Sequence, residues 1–117
     1  MALTHAQVEF IRGDTWDILG TLFDSDGVTP LDLNGSPVIE WTIATADGSF
    51  TLTLTLGAGI TITSVPLAQI LIRVSPTQSR TVPVGVHTDQ CKVVVSATGF
   101  QTTQWEGSIK VKPTINP

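Results

Sequence analysis

Residues 12–38, RGDTWDILGTLFDSDGVTPLDLNGSPV, contain the segment on which the fold of this chain depends. Within them, Thr15–Phe23 is rich in β-branched and aromatic residues, which favours a strand. Its large apolar side chains fall on both parities: Trp16, Ile18 and Leu22 on one, Leu19 and Phe23 on the other. A strand with one solvated face should instead alternate between apolar and polar residues. The pattern therefore predicts either a bulge at Gly20 that switches the faces, or a strand buried on both sides.

The rest of the chain alternates more regularly. In Phe50–Leu56 every second residue is Phe or Leu and the residues between them are threonines, which is typical of a strand with one buried face. Six further segments favour strands: Gln7–Ile11, Pro37–Thr45, Ile60–Ser64, Gln69–Val74, Gly85–Ser96 and Thr103–Lys112. Turn signals separate them at intervals of about 8–12 residues, a spacing that β-sandwiches and barrels share. We predict an all-β chain, an immunoglobulin-like β-sandwich of seven to eight mostly antiparallel strands.

One short helical turn is predicted near Pro76–Thr81. Ser75 is a favourable N-cap, and Pro76 fits the first helical position because its missing N–H has no helical partner there. The length of 117 residues fits one domain over residues 1–117. We expect residues 1–6 and 113–117 to be loose tails.

Composition restricts the classes of partner. Only 14% of the residues are charged, against about 25% in a typical soluble domain, so other groups must cover the surface. The net charge is −4 and the six basic residues are scattered, which argues against nucleic acid as a partner. No apolar run approaches the roughly 20 residues of a membrane-spanning helix, and we expect no membrane association. The first residues lack the basic and apolar regions of a signal peptide.

The sequence offers no recognisable catalytic set, so we predict that the chain is not an enzyme and needs no cofactor. Its histidines, His5 and His87, are far apart in sequence, and no serine lies in a G-x-S-x-G turn. Cys91 falls on the apolar parity of its strand, where a buried thiol is expected. These residues are too few for a transition-metal site.

Three aspartates form the one group of oxygen ligands in the sequence. Asp24, Asp26 and Asp32 lie close together, and Asp24-x-Asp26-Gly27 resembles the start of a calcium loop. The glycine at the sixth position and the distal glutamate of an EF-hand loop are not in place. A plain turn is favoured, and cation binding by Asp24 and Asp26 is left open. Arg12-Gly13-Asp14 is likewise interpreted as a turn before the strand.

The apolar residues on outward parities indicate a protein interface. The candidate interface residues are Trp16, Leu19, Phe23, Leu71 and Val94. Gathered on one sheet face, such residues mark a contact surface. Trp16 has a second interpretation as a solvent-facing platform for a sugar ring, and its place in core, interface or ligand site stays open at this point.

Several motifs occur in an order that resembles a known family. They are Gly13-Asp14-Thr15, Asp26-Gly27, Leu31-Asp32-Leu33-Asn34-Gly35, Gly59-Ile60-Thr61-Ile62 and the closing Gly107-Ser108-Ile109-Lys110-Val111. This order over residues 8–113 resembles the Ig-like N-terminal domain of phage and prophage baseplate upper proteins and related short tail proteins. Val84-Gly85-Val86-His87 departs from that family, which has Tyr in place of His87.

The resemblance implies a non-enzymatic structural module of a phage or prophage tail or baseplate that acts by protein–protein packing. Its expected partners are copies of itself, as a homo-oligomer, or other virion tail proteins. Its expected location is the virion or the cytoplasm of a bacterium that carries the prophage. The alternative is a carbohydrate-binding or adhesion module with an Ig-like fold.

Overall fold

A computed structural model describes residues 3–4, 7–24, 26–35, 37–95 and 100–113. Nine strands form almost all of the regular structure. They are β1 (Leu3–Thr4), β2 (Val8–Ile11), β3 (Trp16–Thr21), β4 (Val38–Ala44), β5 (Thr51–Leu56), β6 (Gly59–Ser64), β7 (Gln69–Val74), β8 (Gly85–Val95) and β9 (Phe100–Lys112). One helical turn, α1 (Pro76–Ser79), links β7 to β8, and a 3₁₀ turn covers Leu33–Gly35. The all-β prediction is confirmed.

The strands pair along one hydrogen-bonded path, in the order β1-β9-β8-β4-β5-β6-β7-β3, and β2 also pairs with β9. Most neighbours are antiparallel, as predicted, whereas β1 and β2 run parallel to β9 and β5 runs parallel to β6. The path begins with β1, which lies with β2 on the outer edge of β9. It ends at β3, which pairs only with β7 in the described part of the chain.

The predicted loose N-terminal tail is partly wrong. Leu3 and Thr4 form β1, opposite Trp105 and Glu106 of β9. Their backbone groups pair with β9 next to the residues that pair with β2. Main-chain pairing of this kind does not require an apolar pattern, so the segment can form a strand without one. The strand count rises to nine for this reason. In the other predicted tail, residues 114–117 lie outside the described residues.

Strand β3 alternates regularly, and the predicted bulge at Gly20 is wrong. Its six residues pair one for one with β7, from Trp16 opposite Val74 to Thr21 opposite Gln69. Trp16 and Leu22 are fully buried, whereas Leu19 is 77% exposed. The second parity therefore faces outward. Apolar residues appear on both parities because Leu19 is exposed on the outward parity and half-buried Phe23 follows the strand on the same parity.

Trp16 is a core residue rather than part of an outward face. Its ring stacks on Phe10 of β2 with centroids 5.1 Å apart, and its indole Nε1–H donates to the Ile11 carbonyl at 2.9 Å. The inward side chains of β4, β7 and β8 complete this core. Because β2 supplies both the stacking ring and the carbonyl, Trp16 joins the last strand of the path to the strand that covers its beginning.

Helical turn α1 holds the segment before β3. Ser75 and Gln78 form a capping box, which confirms the predicted cap. Buried Ser79 accepts from the Gly13 N–H at 3.0 Å and donates its hydroxyl to the Asp14 carbonyl at 2.8 Å. Gly13 has a φ of 93°, so glycine is required at this turn. The Arg-Gly-Asp sequence is thus a turn anchored to α1.

Candidate interaction groove

A groove of about 560 Å³ lies where the two ends of the sheet path approach each other. On one side is β3, from Asp17 to Thr21, with Phe23 just beyond. On the other side are β2 and β9, and Asp89 of β8 also contributes. The side chains from β2 and β9 are apolar: Val8, Phe10, Trp105 and Ile109. Volumes of 300–1,000 Å³ are typical of protein sites that hold a ligand or a few side chains.

The backbone of β3 directs polar groups toward this groove. The Leu22 N–H donates to Ala68 on the β7 side, at 2.9 Å, and the next N–H, that of Phe23, points to β9. Backbone groups alternate in direction along a strand. The N–H and C=O groups of Asp17, Leu19 and Thr21 therefore point away from β7. We call this side of Asp17–Thr21 the open edge, since no described strand pairs with it.

Gln104 closes one end of the open edge. Its side-chain oxygen accepts from the Phe23 N–H at 2.8 Å, and its side-chain nitrogen donates to the Phe23 carbonyl at 2.9 Å. A primary amide thus makes the pair of bonds that a neighbouring strand would make. Cys91 lies opposite Trp105 and Lys92 opposite Thr103, so Gln104 is the extra residue of a bulge in β9. Bulges re-aim side chains in this way.

Asp89 anchors the Trp105 wall of the groove. It is 1% exposed, and its Oδ2 accepts from the indole N–H of Trp41 at 2.9 Å and from that of Trp105 at 3.2 Å. A buried carboxylate needs such donors, because leaving it unpaired costs several kcal/mol. The second of these bonds holds the Trp105 ring, which lies directly against β3. A Cβ built on Gly20 would lie 2.4 Å from the ring, so only glycine fits there.

The outer face of β3 carries a bidentate ion pair. Arg73 of β7 donates to both carboxylate oxygens of Asp17, at 2.7 and 3.0 Å. These hydrogen bonds, and the guanidinium charge, hold the pKa of Asp17 below its usual range. Asp17 and Asp89 are the charged residues among those that line the groove; Asp17 is paired with Arg73, and buried Asp89 accepts from two indoles.

The five predicted interface residues do not share one surface. Leu19 is largely exposed, and it lies opposite half-buried Leu71 on the outer face of β3 and β7. Phe23 lines the groove. Val94 belongs to β8, opposite Val38 of β4, and three strands of the path separate it from β7. Trp16 is buried. The structure therefore brings together Leu19, Leu71 and Phe23 around β3 and places the other two elsewhere.

Two groove residues were missed in the sequence. Asp89 lies on the same parity of β8 as Cys91 and Val93, so the alternation already placed it inward. Gln104 had no such signal. Extending the inward parity of Ile109 and Trp105 backwards predicts that Gln104 faces outward, and only the bulge against β8 reverses this.

The two potentially reactive side chains, Cys91 and His87, are both buried. Burial, and secondarily the charge of Asp89, raises the pKa of the Cys91 thiol to about 12, so the nucleophilic thiolate is absent at neutral pH. His87 is buried, and its Nε2 contacts the Pro83 carbonyl. The buried thiol of Cys91 agrees with the prediction made from its parity.

The aspartates near the 24–29 loop bond within their own turns. Asp26 accepts from the N–H groups of Val28 and Thr29 and from the Thr29 hydroxyl. Asp32 accepts from the backbone and side chain of Asn34. Among the described residues no group of three or more His, Cys, Asp or Glu side chains is arranged to hold a metal ion. None of the helices in the described ranges is long and apolar enough to cross a membrane.

A comparison of the sequence with family models and with curated proteins finds no match.

Proposed function

We propose that this chain is a non-enzymatic structural module of a phage or prophage tail or baseplate, with an Ig-like β-sandwich fold, that acts by protein–protein packing. The observation that carries the packing proposal is the open edge beside an apolar groove. Soluble proteins normally protect a strand edge with lysine, proline, a bulge or a covering segment. Asp17–Thr21 contains no lysine or proline, and no bulge interrupts its pairing with β7.

The surface of β3 supports the same proposal. Leu19 is 77% exposed at the centre of the open edge, and the one acid on β3, Asp17, is neutralised by Arg73. An edge without net charge is not repelled by a partner strand. The low share of charged residues in the whole chain agrees with a surface that is partly covered in an assembly.

The assignment to a phage tail or baseplate rests on the order of the sequence motifs. Several of them have clear structural roles: Gly13 forms the turn before β3, Gly27 has a φ of 73°, and Gly59 starts β6 with a φ of 106°. The carbohydrate-binding alternative depended on an exposed tryptophan. Trp16, Trp41 and Trp105 are 0%, 0% and 8% exposed, which supports the packing function over that alternative.

Proteomics of particles released on prophage induction would test the proposal. We expect this chain in purified particles at a ratio to the tail proteins that stays constant through a density gradient, and we expect tail-defective particles after deletion of its gene. A chain that stays in the non-particle fraction, together with normal particles from the deletion strain, would contradict the proposal.

A further inference from the structure

We propose that β2 exchanges between two copies of this chain, so that β2 of each copy pairs with β9 of the other. This inference rests on the proposed packing function, because an assembly holds copies side by side and raises the effective concentration of each for the other. The partner is a second copy of the chain, and the surface that receives it is the outer edge of β9. Exchange of an identical element is a low-cost route to a dimer.

The structure shows which segment the edge of β9 accepts. Val8–Ile11 lies parallel to residues 109–112 of β9, in continuous register. Trp16 completes this site, because its ring stacks on Phe10 and its indole N–H donates to the Ile11 carbonyl at 2.9 Å. We call residues 109–112 together with Trp16 the β2 seat. A second copy supplies a β2 with the same backbone groups and the same phenyl ring, so it can make all of these contacts.

Few side-chain contacts hold β2 in its own copy. Val8 and Ile11 are 39% and 40% exposed, Glu9 is exposed, and Phe10 is half-buried. Among the described strands β2 pairs with β9 alone, so its backbone is bonded on one side. Main-chain hydrogen bonds and the ring contact with Trp16 therefore hold the strand, and the exchanged pair restores both. Opening of such a terminal strand requires less free energy than global unfolding.

The hinge of the exchange is the turn of residues 12–15 between β2 and β3. In the closed copy the chain reverses here: the Asp14 N–H donates to the Ile11 carbonyl at 3.2 Å, and Gly13 has a φ of 93°. Buried Ser79 holds the same turn through its bonds to the Gly13 N–H and the Asp14 carbonyl. The exchanged pair extends the hinge and loses these bonds, whereas β2 keeps its contacts in the β2 seat. The hinge therefore determines the balance between closed and exchanged copies.

The length of the hinge determines which ends of the two copies meet. From Ile11 to Trp16 an extended chain spans at most roughly 17 Å, at about 3.3 Å per residue. The copies must therefore meet at the end of the sheet where β2 ends and β8 begins. Val84 and Val86 are half exposed at this end, with Val86 opposite Lys110 of β9. These valines give the two copies an apolar contact in addition to the exchanged strands.

A pair of cysteines across β2 and β9 distinguishes the closed form from the exchanged form. Glu9 lies opposite Lys110, and paired strands are about 4.8 Å apart, a distance that a disulfide can bridge. In the variant that combines Glu9→Cys with Lys110→Cys, oxidation of the closed copy gives a covalent monomer. Oxidation of the exchanged pair gives a covalent dimer, and a non-reducing gel separates the two products. The native Cys91 is buried and stays out of this reaction.

The double-cysteine variant is incubated at several concentrations just below its unfolding temperature, cooled, diluted to one concentration and then oxidised. We expect a covalent dimer after incubation at about 1 mM and mainly covalent monomer after incubation at about 10 μM, because exchange between copies follows mass action. Each single-cysteine variant controls for random cross-linking, which depends on the concentration during oxidation and not during incubation. Covalent monomer alone after incubation at about 1 mM would overturn the exchange.

Variants of the hinge test its role by sedimentation velocity. Valine is strained at the φ of 93°, and the extended hinge relieves both copies, so Gly13→Val should lower the dissociation constant of the dimer at least about tenfold. Gly48→Val is the matched control, because Gly48 has a φ of 74° in a turn that takes no part in the exchange. Ser79→Ala removes bonds that only the closed copy makes and should also lower the constant about tenfold. Dissociation constants for Gly13→Val and Ser79→Ala equal to that of Gly48→Val would overturn the hinge assignment.

Cross-linking and particle proteomics fail independently of each other. If only the covalent monomer forms while the chain is found in tail particles, the exchange is wrong and the proposed function stands. A concentration-dependent covalent dimer from a chain that is absent from particles gives the reverse.

Discussion

At one end of the sheet path, the edge of β9 is covered by main-chain pairing with β1 and β2, whereas at the other end β3 has no described strand beside it. The covered end uses residues near one terminus, Val8–Ile11, to satisfy four consecutive positions of β9. The open end uses one side chain, Gln104, to satisfy one residue. Within the described residues, main-chain pairing therefore covers six positions of β9, whereas the outer side of β3 is closed only at Phe23 and by a side chain.

The largest expected effect comes from the wall of the open end. Asp89→Ala leaves the buried N–H groups of Trp41 and Trp105 without their acceptor, and we expect it to lower the free energy of unfolding by about 3 kcal/mol. Asp89→Asn keeps an oxygen acceptor and should cost about 1 kcal/mol. Urea denaturation followed by circular dichroism measures both. Equal costs for the two variants would show that the indole bonds do not determine the role of Asp89.

The second effect concerns the single side chain that closes the open end. Gln104→Leu leaves the N–H and C=O of Phe23 unpaired in a half-buried position, and we expect a loss of about 2 kcal/mol of unfolding free energy. Gln101→Leu is the matched control, because Gln101 is an exposed glutamine on the same strand, and it should cost less than about 0.5 kcal/mol. If thermal denaturation gives the two variants the same stability, the two Gln104 bonds contribute nothing.

The covered end should be insensitive to loss of its ion pair. Lys112 lies 3.3 Å from Glu9 across β9 and β2, but both side chains are about half exposed. We expect Lys112→Ala to cost no more than about 0.5 kcal/mol, because exposed pairs contribute little and backbone pairing holds this edge. A loss of unfolding free energy comparable to that of Gln104→Leu would mean that side chains support both ends equally.

The smallest effect is a pH dependence remote from both ends, in the turn between β4 and β5. Hydrogen bonds from the Ser49 N–H, the Ser49 hydroxyl and the Thr45 hydroxyl lower the pKa of Asp47 from 3.8 to about 2. The folded chain thus binds this proton less tightly than the unfolded chain. The contribution of Asp47 is present above about pH 4 and is lost as the pH falls toward about 2.

Asp47→Asn should therefore reduce the stability difference between pH 5 and about pH 2. The measurement is denaturation across that range, with the Asp47 carboxyl followed by ¹³C NMR. A carboxyl that titrates near 3.8 in the folded chain would contradict the lowered pKa.

Regular alternation made much of the fold predictable from the sequence. Gln69–Val74 is a strand with the predicted bounds, and β5 matches Phe50–Leu56 except for its first residue. The cap at Ser75 was also readable, because capping depends on neighbouring residues. Strand alternation and helix capping depend on residues that are neighbours in the sequence, so both can be predicted from the sequence.

The open edge and its closure could not be predicted, because they depend on residues distant in sequence. Gln104 turns inward only because β9 bulges against β8, and it bonds to Phe23 across 81 positions. Leu19 made both parities of β3 apolar, which indicated an interface, but parity alone did not show which face was exposed. Trp16 was assigned to the candidate interface for the same reason, and its stacking on Phe10 places it in the core.

Amide hydrogen exchange along β3 of the free chain tests the open edge most directly. The N–H groups of Ile18 and Gly20 point to β7 and those of Leu19 and Thr21 point to the groove. We expect Leu19 and Thr21 to exchange at least about a hundredfold faster than Ile18 and Gly20. Uniform protection of all four amides in the free chain would contradict the open edge.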